Sequence, residues 1–167
     1  AFYMKDSPYD VFDLVEKSMN VIEERLSRLD IEIELRPELT GKTSQFGSLE
    51  ELITLTKNVI SVKPCMDFSH LYARTGKYNS KQEMLEVLTQ LEGELGKDAL
   101  SSMHIHVSGI SSNSKGDLKH LNLEKSDFNW KGMLEALKEK NCMGYVISNS
   151  PNLEEDAKML KDYYMAI

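Results

Sequence analysis

Apolar and polar positions alternate along this chain in two different rhythms, and the rhythm switches repeatedly. Val11, Leu14, Val15, Met19, Ile22 and Leu26 recur at three and four, which predicts an amphipathic helix over Pro8 to Leu29. Ser7 and Pro8 supply its N-cap and first helical position. The run IEIEL, Ile31 to Leu35, then alternates with period two and stops at Arg36-Pro37. Capping boxes at Ser48/Glu51 and Ser80/Glu83 open helices over Leu49 to Ile60 and Lys81 to Leu95. Further strands are expected at Val62 to Phe68, Met103 to Val107 and Gly144 to Ile147. Helices are expected at Trp130 to Lys140 and Leu153 to Tyr164, and a long polar loop from Ser108 to Asn129. Ala1 to Met4 reads as the tail of a further strand, so the chain reads as part of a longer polypeptide.

Strand and helix thus alternate throughout, with strand starts near 31, 62, 103 and 144. That is repeated βαβ spacing, which predicts an α/β fold with a parallel sheet. An open doubly wound sheet fits, and so does half of an eight-stranded TIM-type barrel. No GxGxxG follows any strand, which weakens a dinucleotide-binding reading. The whole of 1–167 is expected to form a single domain.

Composition narrows the classes further. Of 167 residues, 41% are hydrophobic and 28% charged, an ordinary globular balance. No run approaches the ~18–20 apolar residues of a membrane helix, and no signal-peptide pattern opens the chain. The two cysteines, Cys65 and Cys142, lack CxxC spacing and read as buried thiols in a reducing, cytoplasmic setting. Net charge is −7, so bulk attraction for nucleic acid is not expected. Acidic metal ligands count as negative here yet are neutralised in use, so a nucleic-acid enzyme stays open.

In either architecture the chemistry sits where strands end. The first strand ends in Arg36, Pro37 and Glu38. The second ends in Asp67, Phe68, Ser69 and His70. The third carries His104 and His106, its loop carries Asp117 and His120, and the fourth ends in Ser148, Asn149 and Ser150. Each His read alone is a satisfied loop or core residue, and each acid a helix cap. Together, imidazoles and carboxylates converging on one mouth suit a divalent cation, with Zn²⁺ or Mn²⁺ best matched to mixed N/O donors. His104 is favoured over His106 as the ligand on its strand, leaving His106 as a supporting or substrate contact.

The runs RPELTGKTSQFGSLEEL, CMDFSHLYA, MHIHVSG, KGDLKHLNL and SNSPNLEEDAKMLK resemble, in order, the last four strand–loop segments of the endonuclease IV family. The resemblance covers nearly the whole chain. It implies the C-terminal half of a (β/α)₈ barrel holding up to three Zn²⁺, with hydrolysis of DNA 5′ to abasic sites in base excision repair. Carried over by motif, Glu38 resembles the catalytic, metal-bridging glutamate. Asp67 and His104 resemble ligands of a second ion, and His70 and His120 ligands of a third, with Asp117 the carboxylate beside His120. Arg36, Lys42 and Gln45 are expected at the DNA, with Phe46 either probing the abasic gap or covering a helix. Asn149 stands where the family has a ligand glutamate. The implied partners are abasic DNA and either the missing N-terminal half-barrel or a second copy. A sugar isomerase or epimerase on the related xylose-isomerase-like barrel is the competing enzyme reading, and a non-catalytic metal-binding fragment the third.

Overall fold

The computed structural model describes all 167 residues, the side chains at positions 117 and 118 excepted. The helices are α1 (Pro8–Arg28), α2 (Leu49–Asn58), α3 (Phe68–Thr75), α4 (Lys81–Leu95), α5 (Trp130–Glu139) and α6 (Glu154–Ala166). The strands are β1 (Cys65–Asp67), β2 (Met103–Val107), β3 (Gly109–Asn113), β4 (Gly116–Leu121) and β5 (Gly144–Ser148). β1, β2 and β5 form a parallel sheet in chain order.

The alternating run after α1 joins this sheet without forming a regular strand. Leu35 bridges Val62 and Glu38 bridges Cys65, both in parallel. Leu35 N–H donates to Ser61 O at 2.8 Å, Lys63 N–H to Leu35 O at 3.0 Å, Cys65 N–H to Pro37 O at 2.9 Å and Leu39 N–H to Cys65 O at 3.0 Å. The parallel pattern requires one more bond between these, from residue 37 to Lys63 O. Pro37 has no N–H to give it, so the ladder breaks there.

Strand order therefore follows chain order from the 35–39 segment through β1 and β2 to β5, with no reversal. A doubly wound sheet reverses at its switch point; a barrel does not. Met66, Met103, Ile105 and Val107 point to the buried side, where Leu52 and Leu55 of α2, Met84 and Leu88 of α4 and Met133 and Leu134 of α5 join one core. Successive helices touch in the same order, α2 on α4, α4 on α5 and α5 on α6. The opposite face of β2 carries His104 and His106, half-buried.

Several expectations change. The second strand is shorter than Val62 to Phe68, because Asp67 caps a helix that starts at Phe68. Ala1 to Met4 does not join the sheet: Phe2 bridges Gln45 antiparallel, and Phe46 N–H donates to Ala1 O at 2.9 Å. The apolar stripe of α1 is only partly covered, with Val11 buried but Leu14 and Ile22 exposed. The predicted loop 108–129 contains the β3–β4 hairpin. Its turn glycine, Gly116, has φ +105°, and a Cβ there would sit 2.1 Å from Gly41 O. The hairpin can lie against the loop after Leu39 only because that side chain is missing.

Candidate metal centre

The sheet register sorts the inward-facing residues into rows. Glu38, Cys65, His104 and Tyr145 are paired across one row. Asp67, His106 and Ile147 are paired across the next, nearer the strand ends. Arg36 belongs two residues below Glu38. Its guanidinium donates to Ser102 O at 2.9 Å, just ahead of β2, and pairs with Glu34. It lies at the amino end of the strands, so the expectation that Arg36 meets substrate at the mouth is corrected: Glu38 points into the row above, and side chains of one strand face share a side but not a level.

Asp67 and His70 meet because of a helix cap. Asp67 ends β1 and is fully buried; its Oδ1 accepts from His70 N–H at 2.8 Å and from the Ser69 hydroxyl. Ser69 in turn accepts from Ser108 N–H at 3.3 Å. The remaining oxygen, Oδ2, has no hydrogen-bond partner and lies 3.3 Å from His70 Nδ1. Burial raises the Asp67 carboxyl above its ordinary range. Asp67 is thus both a helix cap and a donor atom facing the site. The sequence alone had set these against each other, because α3 was not foreseen.

Glu38 Oε1 lies 2.8 Å from His106 Nδ1 and 3.7 Å from His70 Nδ1. Oxygens of Glu38 and Asp67 and a nitrogen of His70 all fall within 4.8 Å of one another. His106, expected to be peripheral, is the histidine that pairs with Glu38 and stands opposite Asp67. His104, expected to act with Asp67, sits one row lower, opposite Cys65 and Tyr145.

His120 returns to the mouth on β4, where it pairs with Ile110. Its Nδ1 faces Asn149 O at 3.1 Å, and His70 Nδ1 faces Leu39 O at 3.0 Å. A carbonyl only accepts, so both Nδ1 atoms carry hydrogen and both neutral rings are bare at Nε2. Those two Nε2 atoms stand 3.1 Å apart. Two lone pairs that close repel unless a cation, a shared proton or a metal ion, lies between them. Two imidazoles on one tetrahedral zinc, each at ~2.0–2.1 Å, hold their nitrogens roughly 3.3 Å apart. The donor set therefore fits a divalent ion, and backbone carbonyls on the far nitrogens are the usual device for orienting such ligands.

Asn149 contributes its main chain: its N–H donates to Val107 O at 2.8 Å and its carbonyl orients His120. The Asp117 side chain, expected beside His120, lies outside the described residues. Lys42 is exposed and bridges Gly116 at the hairpin turn, while Gln45 is half-buried. Phe46 is buried 6.1 Å from the Phe12 ring, which removes it from any probing role.

Arg74 is a residue the sequence did not flag. It donates to Thr40 O at 3.2 Å, Lys42 O at 2.5 Å and Gln45 O at 3.0 Å, fixing the loop that walls the mouth. An arginine on a short unforeseen helix carries no pattern to give it away. Cys65 is buried under the mouth, and burial, helped by Glu38 and Asp67, pushes its thiol up to about 12. Burial and the neighbouring His106 lower the imidazolium pKa of His104.

A family profile described as xylose isomerase-like TIM barrel matches residues 2–163. The chain belongs to the xylose isomerase-like TIM barrel family. Within that setting it is 40% identical over 165 residues to an uncharacterized protein of Methanocaldococcus jannaschii, covering 98% of this chain and 60% of that one. It is 27% identical over 139 residues to a probable endonuclease 4 of Aster yellows witches'-broom phytoplasma, covering 81% of this chain and 46% of that one. Among solved structures it resembles the apo form of a 3-keto-D-glucoside 4-epimerase from E. coli, with TM-score 0.55, 17% identity, and coverage of 95% of this chain and 54% of the other. That last likeness speaks for the barrel fold alone. This xylose isomerase-like chain spans 60% and 46% of the lengths of its two curated relatives. Among its described residues, no helix is long and apolar enough to cross a membrane.

Proposed function

We propose that this chain belongs to a divalent-cation-dependent phosphodiesterase that cuts DNA 5′ to abasic sites, a cytoplasmic activity of base excision repair. The observation that carries the reading is the pair of bare Nε2 atoms on His70 and His120, 3.1 Å apart, beside the Glu38–Asp67–His70 group. The 27% identity to a probable endonuclease 4 supports the substrate class.

His70 and His120 would hold one cation through Nε2, and Glu38 and Asp67, 3.7 and 3.3 Å from Nδ1 of His70, would add carboxylate charge on the other side of that ring. Bound Zn²⁺ or Mn²⁺ supplies water acidified toward a pKa of ~7 and positive charge opposite a phosphate. The chain's own residues set the geometry. Leu39 O and Asn149 O fix the histidine tautomers. Ser69 and Ser108 N–H lock Asp67. His106 Nδ1–H holds Glu38 by Oε1 and leaves its second oxygen free to carry a proton. In the reaction a water oxygen bonds to phosphorus, the P–O3′ bond breaks, and the proton that water loses ends on the released 3′ oxygen. Lys42, exposed in the loop after Leu39, would meet a backbone phosphate; Gln45 is half-buried in the same loop.

An isomerase on the same barrel needs two carboxylates free to act as acid and base. Here Glu38 is the accessible one, Asp67 is fully buried, and Asn149 is an amide that cannot act as a base. The test is to load the chain, and its 40%-identical relative, with Zn²⁺ or Mn²⁺. Each is then offered a duplex with a tetrahydrofuran abasic analogue and, separately, a ketose. Nicking 5′ to the analogue, lost in His70→Ala and His120→Ala, is expected. Ketose interconversion without nicking overturns the reading.

A further inference from the structure

The alternation in MHIH puts His104 and His106 on one face of β2, yet the mouth engages only the upper of them. His104 lies one row down, opposite Cys65 on β1 and Tyr145 on β5. We infer that Cys65, His104 and His106 form a second cation site, separate from the His70–His120 pair, that takes a borderline or soft divalent ion through one sulfur and two imidazole nitrogens.

The ligand atoms are already assembled. The Cys65 Sγ and one ring nitrogen of each histidine lie within 4.8 Å of one another. Cys65 is buried, so its sulfur faces the two imidazoles rather than solvent. The two rings meet edge to face, with centroids 5.2 Å apart and planes at 64°, so they are not stacked against each other. His106 Nδ1 rests 2.8 Å from Glu38 Oε1. With hydrogen on Nδ1 toward that carboxylate, the lone pair is on Nε2, the arrangement that orients metal-bound imidazoles.

The donors also differ in kind from those at the mouth. Carboxylate oxygens with imidazole accept a broad range of divalent ions, whereas thiolate with imidazole selects zinc, cobalt or copper. Charge balance favours occupation. Glu38 bridges Cys65 from the neighbouring segment, and Asp67 follows it by two on the same strand face. The positive Arg36 one row below is already paired with Glu34. Binding exchanges the Cys65 thiol proton, released to solvent, for a metal–sulfur bond. The plain alternative is a buried thiol beneath two histidines that merely fill the barrel floor, and it forms no metal–sulfur bond.

Titration of the purified chain with Co²⁺ alone separates the two. Thiolate bound to Co²⁺ gives a near-ultraviolet charge-transfer band that oxygen and nitrogen donors do not give. The band is expected in the unaltered chain and in Cys142→Ser and His120→Ala. It is expected to vanish in Cys65→Ser and to require at least tenfold more Co²⁺ in His104→Ala. Circular dichroism of Cys65→Ser, a change of one atom, confirms that its fold is retained. Absence of the band from the unaltered chain at saturating Co²⁺, or its survival in Cys65→Ser, overturns the site.

Discussion

Asp67 carries two duties that pull in opposite directions. One oxygen caps α3; the other is buried without a hydrogen bond, which costs stability unless a cation arrives. Asparagine is as good a cap as aspartate. Asp67→Asn is therefore expected to raise the melting temperature of the cation-free chain and to lower bound zinc or manganese at least tenfold, read by calorimetry and by metal analysis. A fall in melting temperature without loss of metal would show that the carboxylate serves structure only. At Asn149 the direction reverses. Its main chain already positions His120, so Asn149→Glu adds a carboxylate without removing that bond. Tighter zinc binding and faster nicking are expected, and unchanged values would remove position 149 from the site. At this scale the sequence was informative about residue types and poor about pairings. Glu38, Asp67, His70 and His120 were legible as strand-end donors. That His106 rather than His104 meets Glu38 depends on sheet register, and a single strand's pattern carries no register.

At the scale of elements, the mouth depends on two devices that hold loops. Arg74 on α3 binds the carbonyls of the 40–45 loop; one hydrogen bond to a charged group contributes about 1.5–3 kcal/mol, and bonds sharing one half-exposed guanidinium do not add. Arg74→Ala is expected to lower stability by about 2 kcal/mol and to open the loop to limited proteolysis. Arg74→Lys should not restore it, since a point charge lacks the planar fork. Asp156 on α6 plays the same part on the other side, accepting from Leu123 N–H at 2.7 Å and Asn152 Nδ2 at 2.8 Å. Burial pushes its carboxyl up, but these hydrogen bonds outweigh that and leave it below the ordinary 3.8. With the folded value depressed, its stabilisation is present above pH 3.8 and is lost as pH falls through the folded value. Acid melting of Asp156→Asn is expected to lose this pH dependence. The helices themselves were legible from capping boxes and three–four spacing. α3 was not, because eight residues following a strand offer too few turns for periodicity to register.

For the whole molecule, the sheet has two unpaired parallel edges. Ile31 and Ile33 are exposed in the segment leading into one, and Tyr145, 74% exposed, Val146 and Ile147 on the other. Unpaired edges with apolar side chains invite association. We propose that a complementary half-barrel or a second copy covers them. Concentration-dependent association is expected in sedimentation, weakened by Tyr145→Lys combined with Ile147→Lys. A monomer at all concentrations would show that these edges tolerate solvent.

The sequence by itself determined the alternation of strand and helix, the parallel α/β class and the candidate donors, because these rest on local periodicity, caps and residue chemistry. Only the tertiary structure decided that the strands run in unbroken chain order and that Arg36 points to the wrong end. It also decided that a hairpin inside a polar loop brings His120 to within 3.1 Å of His70. Each of these depends on register and on contacts between residues far apart in the chain, where the pairing partner, not the residue's own neighbours, fixes its position.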